Sequence, residues 1–511
     1  MTIIDIEPRE YQKAIFNTAK DKNTLVVLPT GIGKTLIAMM LAVERKKKHP
    51  LSKVVFLAPT RPLVEQHFGY FKKHLPELFA ELSLFTGTIP AEKRKKLWQT
   101  TEIIFSTPQC VANDLENYLY DLNDVSLLVI DEAYRCLKNY DYTKVVNKYK
   151  NQSKNTLILG LTASPGHDPE KVKQISRHLA LDEIEVRTRD SEDVKPYLKE
   201  REFTKREVDF PPQLMEINSL LKKIWDEKVD KLKSRNLLFG PANKITLLKL
   251  QNRLFPQMSS GNFHAMIGVS LTAQAIKISH AMELLETQTL SGLNAYMKSL
   301  IEQSNQKKSK GVQTLVKSPE FNAAFILLQE LIAKKIEHPK INEISEIVKE
   351  KFSQNPKSKI IIFSQFRETA QTISNKLNEI PEVKSAIFIG QAKKLGTGLS
   401  QKEQKQVIED FREGKLNIIC ATSIGEEGLD IPEVSAVIFY EPIPSAIRKI
   451  QRAGRTARLS PGELIILITK DTRDEIHHYA SSARERKMYK TIEQVKRELK
   501  TQAKTLDDFK Q

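Results

Sequence analysis

The stretch TLVVLPTGIGKTLIAMMLA, residues 24–42, decides the architecture. TLVVL at 24–28 is a short β-branched run, Pro29-Thr30-Gly31-Ile32-Gly33-Lys34-Thr35 is a glycine-bearing loop, and LIAMMLA opens a helix. A strand, such a loop and a helix N-terminus in sequence form an anion cradle. Glycines let backbone N–H groups approach phosphate oxygens, and the helix dipole favours negative charge. Thr30, Gly31 and Gly33 belong to that cradle, Lys34 reaches the β- and γ-phosphates, and the Thr35 hydroxyl is a ligand for Mg2+. The full GxxxxGK[ST] pattern is not met, because Leu28 stands where its first glycine would be.

Outward from this loop, VVFLA at 54–58, EIIFS at 102–106, LLVID at 127–131 and LILGL at 157–161 are further apolar runs, each followed by a helix-compatible segment. Runs without polar alternation suit strands buried on both faces, which predicts a parallel sheet sandwiched by helices. KIIIFS at 359–364, SAIFIG at 385–390, NIICAT at 417–422, AVIFYE at 436–441 and ELIILIT at 463–469 repeat the pattern. Two α/β halves in one chain predict a cleft where strand C-terminal ends present loops to a ligand. The fourth run ends in Asp131-Glu132. A carboxylate there can hold Mg2+, the expected part of Asp131, while Glu132 can act as general base on a water. In the second half Arg452, Arg455 and Arg458 fall three apart, on one helical face. They suit a nucleic-acid patch, a solvated face, or arginine fingers opposite a nucleotide.

Residues 200–345 lose the strand signal and carry helical stripes such as Leu214, Ile217, Leu220, Leu221, Ile224 and Trp225. This predicts a helical insert, with 303–318 as an exposed polar loop. The expected units are 1–199, 200–345 and 346–490, with 491–511 as a basic tail. The 511 residues carry 80 Lys+Arg against 63 Asp+Glu, a net charge of +17 that points to a polyanionic partner such as nucleic acid. No apolar run approaches a membrane span and no secretory signal is visible. Cys110, Cys136 and Cys420 are too few and too scattered for a disulfide framework or a zinc site.

These motifs, in this order, resemble superfamily 2 helicases. Arg9 and Tyr11-Gln12 look like that family's adenine-recognising motif, and Ala58–Leu63, Ser106–Gln109, Leu161–Ser164 and Ser364–Arg367 resemble its motifs Ia, Ib, III and IV. Ala421–Asp430 matches motif V and Gln451–Arg458 matches motif VI. FIGQAKKLGTGLSQKEQ at 388–404, FYEPIPSAIRKIQRAGRTAR at 439–458 and HAMELLETQTL at 280–290 are similar to the archaeal Hef helicases, relatives of the Fanconi anaemia group M translocase.

The resemblance implies two RecA-like parallel-sheet domains, an α/β fold with a thumb-like helical insert between them. It implies ATP-driven movement on DNA, 3′-to-5′, at forks and branched junctions, inside an archaeal cell (cytoplasmic, nucleoid-associated). By matching motif, Arg9 and Gln12 would touch the nucleotide from the first half, and Gly428 and Asp430 from the second. Gln451, Arg455 and Arg458 would join Lys34 and Glu132 in catalysis. Thr60, Arg61, Thr107, Ser364, Gln365 and Thr422 would hold the phosphates of a single strand. Three departures stand out. The nuclease of many Hef chains is not seen in the 511 residues, so a nuclease acting in trans is the expectation. Tyr134 occupies a position usually held by His, and Ala457 one often held by Gly. Leu506 and Phe509 partly resemble a sliding-clamp binding peptide, against a frayed tail. The rival readings are a double-stranded-RNA-stimulated ATPase of the Dicer or innate-sensor type, and a branched-DNA scaffold with weak ATPase.

Overall fold

The structure, a computed structural model, describes residues 4–137, 140–198, 201–390, 398–422, 432–443, 445, 452 and 461–508, with backbone alone at 201, 500 and 502–508. The first sheet contains β1 (Thr24–Val27), β2 (Lys53–Leu57), β3 (Leu82–Phe85), β4 (Ile103–Ser106), β5 (Val125–Ile130), β6 (Ile158–Thr162) and β7 (Glu183–Val186). The second contains β8 (Arg201–Val208), β9 (Ile360–Phe363), β10 (Ser385–Phe388), β11 (Ile418–Ala421), β12 (Ala436–Phe439) and β13 (Gly462–Thr469). Their orders are β3-β4-β2-β5-β6-β1-β7 and β10-β11-β9-β12-β13-β8. Every described pairing is parallel.

The apolar runs explain this directly. All six residues of β5 are buried. Successive strand residues feed opposite cores: Leu25, Val27, Val55 and Leu57 pack on one face, Val26, Leu28, Val54 and Phe56 on the other. In a parallel sheet all C-terminal strand ends share one edge. There Leu28 N–H donates to the Thr162 carbonyl (3.0 Å), Ala58 N–H to Ser106 (3.1 Å) and Asp131 N–H to Leu57 (2.8 Å). The second sheet does the same, with Ser364 N–H on Ala421 (3.0 Å) and Thr422 N–H on Phe388 (3.1 Å).

Three expectations are corrected. The 200–345 segment does contain a strand: β8 pairs with β13 at the edge of the second sheet. An edge strand needs few apolar residues, and REFTKREV leaves Phe203 half exposed, so no apolar run marks it. The 303–318 stretch is an exposed loop only around 306–309; the rest is the end of helix Leu290–Asn305 and helix Lys310–Val316, whose Val312 and Leu315 enter the insert's core. Residues 491–508 are not a separate tail. They continue helix Arg473–Asp508, and Met488, Ile492 and Val495 are buried in the core of the first sheet.

The insert has two cores. One lies at its base, around Leu221, Ile278 and Leu293; the other at its tip, where helices Pro212–Ser234, Lys244–Ser259 and Phe263–Thr287 meet. At Gly268 an added Cβ would lie 2.7 Å from Leu254 and 2.8 Å from Leu237, so the tip helices touch closely.

Its base is tied to the second lobe by buried polar groups. Lys340 and Asp474, both fully buried, form an ion pair, and Lys340 Nζ also donates to the Thr287 carbonyl (3.2 Å). Asp474 accepts from Thr469 N–H (3.0 Å), while Thr369 Oγ1 donates to Gln288 (2.9 Å) and the Tyr440 hydroxyl to the Gln288 carbonyl (3.4 Å). Burial raises the Asp474 carboxyl above its usual range despite Lys340. Removing one partner of such a pair strands a buried charge at a cost of about 3–5 kcal/mol. Lys340→Met is therefore expected to destabilise the chain by about that amount in denaturant unfolding, and the double variant Lys340→Met/Asp474→Leu to recover part of the loss.

Candidate functional site: a phosphate loop facing a carboxylate strand end

The loop after β1 is held from both sides. Gly31 and Gly33 both have φ of 83°, left-handed values open to glycine, and Gly33 caps helix Lys34–Lys48. From the preceding helix the Tyr11 hydroxyl donates to the Ile32 carbonyl (2.6 Å), and Gln12 Nε2 to the Ile32 and Gly33 carbonyls (3.3 Å each). Arg9 lies beside them, its guanidinium 4.9 Å from the centre of the Tyr197 ring. Lys34 Nζ donates to the Leu28 carbonyl (3.1 Å), so the ammonium curls over the loop from the helix N-terminus. Thr30 is partly exposed on the same loop.

Asp131 is buried at the C-terminal end of β5, with its backbone carbonyl held by the Tyr142 hydroxyl (2.7 Å). Glu132 adopts φ 51°, a strained value for a side chain with a Cβ. Between this strand end and the phosphate loop stands His67, from helix Arg61–His74. Its Nδ1 lies 3.2 Å from Thr35 Oγ1 and its Nε2 2.9 Å from Asp131 Oδ2. With a proton on Nε2 and none on Nδ1, the ring accepts from Thr35 and donates to Asp131. Burial alone would raise the Asp131 carboxyl, but the His67 bond and the Lys34 ammonium outweigh it and hold the group below its usual range. An ionised carboxylate and a hydroxyl, two hard oxygen donors converging beside a phosphate loop, fit a magnesium ion.

Sequence reasoning missed His67 and Tyr197. The only signal for His67 is its place in the buried face of its helix, with Val64 and Phe71, where an apolar residue is the norm. Tyr134, the departure noted above, has its hydroxyl accepting from Arg135 Nε (3.2 Å).

The remaining sequence-derived positions fall at equivalent edges of the two sheets. Thr60 and Thr107 cap the helices after β2 and β4, and among the described residues the buried Thr60 hydroxyl has no hydrogen-bond partner. Arg61 Nε donates to Glu65 (2.7 Å), whose other oxygen meets Lys405 of the second lobe at 3.5 Å. Ser364 and Gln365 follow β9, and Thr422 follows β11. Gly428, Asp430, Gln451, Arg455, Arg458 and Phe509 lie outside the described residues, as does the side chain of Leu506.

A cleft of about 400 Å³ opens where the lobes, the insert and the C-terminal helix meet, lined by His167, Gln365, Glu283, Glu441, Arg452 and Arg484 among others. The C-terminal helix also reaches the end of β6, where Ser164 Oγ donates to Met488 Sδ (2.7 Å).

Comparison with known proteins assigns the architecture. The solved helicase domain of Hef from Pyrococcus furiosus matches with a TM-score of 0.72 and 41% identity, covering 93% of this chain and 98% of that one. The chain belongs to the Hef helicase family. Within it, a DEAD/DEAH box helicase family match covers residues 9–172, a helicase conserved C-terminal domain covers 339–460, and an ATP-dependent RNA helicase helical bundle covers 213–336. Among relatives, a protein of Methanocaldococcus jannaschii named for ATP-dependent RNA helicase activity is 36% identical across 95% of this Hef-family chain and 61% of its own length. The ATP-dependent DNA helicase mph1 of Neurospora crassa is 32% identical, over 91% and 41%. The Fanconi anemia group M protein homolog of Mus musculus is also 32% identical, over 95% and 26%. The chain thus spans about a quarter to three fifths of these curated relatives.

Two expectations follow. At Gly33 an added Cβ would sit 2.4 Å from Gln12 Nε2 and force a left-handed side chain. Gly33→Ala should weaken binding of a fluorescent ATP analogue by about tenfold or more, since a left-handed Cβ alone costs about 1–2 kcal/mol. Burial pushes the Glu441 carboxyl up to about 8, against the opposing charges of Arg452 and Lys340. Between the unfolded value of about 4.3 and that folded value the native chain holds a proton the unfolded chain has released, so stability falls as pH rises through this window. Glu441→Gln removes that cost. Its unfolding midpoint should exceed the parent's by a margin that widens from pH 5 to pH 9.

Proposed function

We propose that this Hef-family chain is an ATP-driven DNA helicase and translocase that remodels forked or branched DNA in replication-fork repair. The observation that carries the proposal is the convergence of the phosphate loop with Asp131 and Glu132 on one sheet edge, in a chain whose second sheet repeats that edge. The terminal phosphates would lie against the N–H groups of Thr30–Gly33 and the Lys34 ammonium, with Arg9 and Gln12 toward the base. Thr35 and Asp131 would hold a magnesium ion, which when bound supplies positive charge against the phosphate oxygens. Glu132 would orient and deprotonate the attacking water. From the second lobe Gln451, Arg455 and Arg458 would face the charge that develops at the transferred phosphoryl, with Gly428 and Asp430 contacting the nucleotide.

A strand would be gripped through its phosphates by Thr60, Arg61 and Thr107 on one lobe and Ser364, Gln365 and Thr422 on the other. Such contacts position without reading sequence. Because the insert's base is bonded to the second lobe through Lys340, Asp474 and Gln288, the insert would travel with that lobe. Its tip supports a nucleic-acid partner. Residues 231–282 contain seven Lys or Arg and no Asp or Glu, and Phe239, Phe255 and Phe263 are exposed there. Cationic surface with open aromatic rings suits strand phosphates and unpaired bases.

DNA rather than RNA is favoured by the relatives named as DNA helicases, while one relative's name points to RNA. Action inside the cell near the nucleoid and weak clamp binding through Leu506 and Phe509 complete the reading. Among the described residues no helix is long and apolar enough to cross a membrane.

ATPase rates with single-stranded DNA, forks, four-way junctions and double-stranded RNA at matched salt test the proposal. Forks and junctions should stimulate most, and Lys34→Ala should lower turnover by about 10²–10³-fold, the scale for removing one charge-stabilising donor. Stimulation by double-stranded RNA alone would replace DNA with RNA. Fork unwinding that survives Lys34→Ala would leave only a scaffold.

A further inference from the structure

His67 belongs to none of the motifs read from the sequence, yet among the described residues its ring meets both Thr35 and Asp131, the two groups placed to hold the metal. Three contacts fix its ring. Nδ1 meets the Thr35 hydroxyl, Nε2 meets the Asp131 carboxylate, and the face packs on Phe56 with centroids 4.5 Å apart. Turning the imidazole breaks both hydrogen bonds at once.

The donor arithmetic leaves room for a metal. When Thr35 gives its proton to Nδ1, the oxygen's lone pairs stay free. When Nε2–H engages Oδ2 of Asp131, His67 leaves Oδ1 untouched. The imidazole therefore orients both groups toward a cation without spending the atoms the cation needs, as partners behind metal ligands do elsewhere.

The helix that carries His67 has two further attachments. At its N-terminus stand Thr60 and Arg61, about 10 Å along the axis at 1.5 Å per residue. One turn in, Glu65 joins Arg61 to Lys405 of the second lobe. One rigid element thus meets the phosphate site, the strand-facing residues and the opposite lobe.

We infer that His67 is a positioning residue: it sets Thr35 and Asp131 for the metal–nucleotide complex and links their occupancy, through its helix, to the grip of Thr60 and Arg61 on a nucleic-acid strand. The linkage half of this inference rests on the DNA reading above; the positioning half does not. Loss of the imidazole frees the Thr35 hydroxyl to rotate and leaves Asp131 buried without its donor. A glutamine at the same place can accept from Thr35 through its carbonyl and donate to Asp131 through its amide.

The experiment is equilibrium binding of a fluorescent, non-hydrolysable ATP analogue to the full chain across a magnesium titration, with and without single-stranded DNA. In His67→Ala the magnesium midpoint should rise about 10–100-fold, the range for losing a partner behind a metal ligand, with magnesium-free nucleotide affinity unchanged. The factor by which DNA alters nucleotide affinity should fall toward one. His67→Gln should restore most of both effects, and it remains the deciding variant if His67→Ala unfolds. An unchanged midpoint in His67→Ala, or a His67→Gln chain no better than a folded His67→Ala, overturns the positioning role. A shifted midpoint with the DNA effect intact overturns the linkage. If DNA leaves nucleotide affinity unaltered in the parent chain, the linkage and the DNA reading fail together, and the magnesium midpoint alone still decides the positioning role.

Discussion

Parallel pairing around β5 is the constraint on which the rest of this molecule depends. The Asp131 amide bonds the Leu57 carbonyl and the Leu28 amide bonds Thr162, so the phosphate loop, the carboxylate pair and the start of helix Arg61–His74 emerge at one level of one edge. A one-residue slip would turn every strand side chain to the opposite face and exchange the two cores. β1, β5 and β6 are buried at every residue and β2 at all but Lys53, so side-chain packing on both faces fixes the register and the chemistry of the edge inherits its alignment from it.

The second organising element is buried polarity where the insert joins the second lobe. A Lys340–Asp474 pair with no solvent access adds little net stability over an apolar pair, but it admits one geometry only. Thr287, Gln288, Thr369 and Tyr440 are drawn into the same arrangement, so the insert is anchored in orientation as well as attached. The C-terminal helix, Arg473–Asp508, starts at this cluster beside Asp474 and packs into the first lobe's core through Met488, Ile492 and Val495. The lobes are therefore joined by more than the chain crossings between their sheets.

Much of this was legible in the linear chain. A strand buried on both faces needs an unbroken apolar run, and each such run appears as a strand. A phosphate loop needs glycine where φ is positive, and Gly31 and Gly33 both have it. What escaped reading shares one property: it depends on a distant partner. REFTKREV forms β8 because β13 supplies its hydrogen bonds. The polar stretch around 310–316 is helical because Val312 and Leu315 find the insert's core. His67 looks like one more polar residue on an amphipathic helix until Thr35 and Asp131 meet its two nitrogens.

By itself the sequence determined the α/β class, the two repeated sheets, the helical character of the middle, and the glycine loop and Asp131-Glu132 pair that the fold brings to one sheet edge, because each is written in short-range periodicity or in a distinctive local residue pattern. Only the tertiary structure decided which lobe receives β8, where the C-terminal helix docks, how the insert is fastened and what stands between Thr35 and Asp131. Those are contacts between residues tens to hundreds of positions apart, and hydrogen bonds and buried charges act through space, where spacing along the chain carries no information.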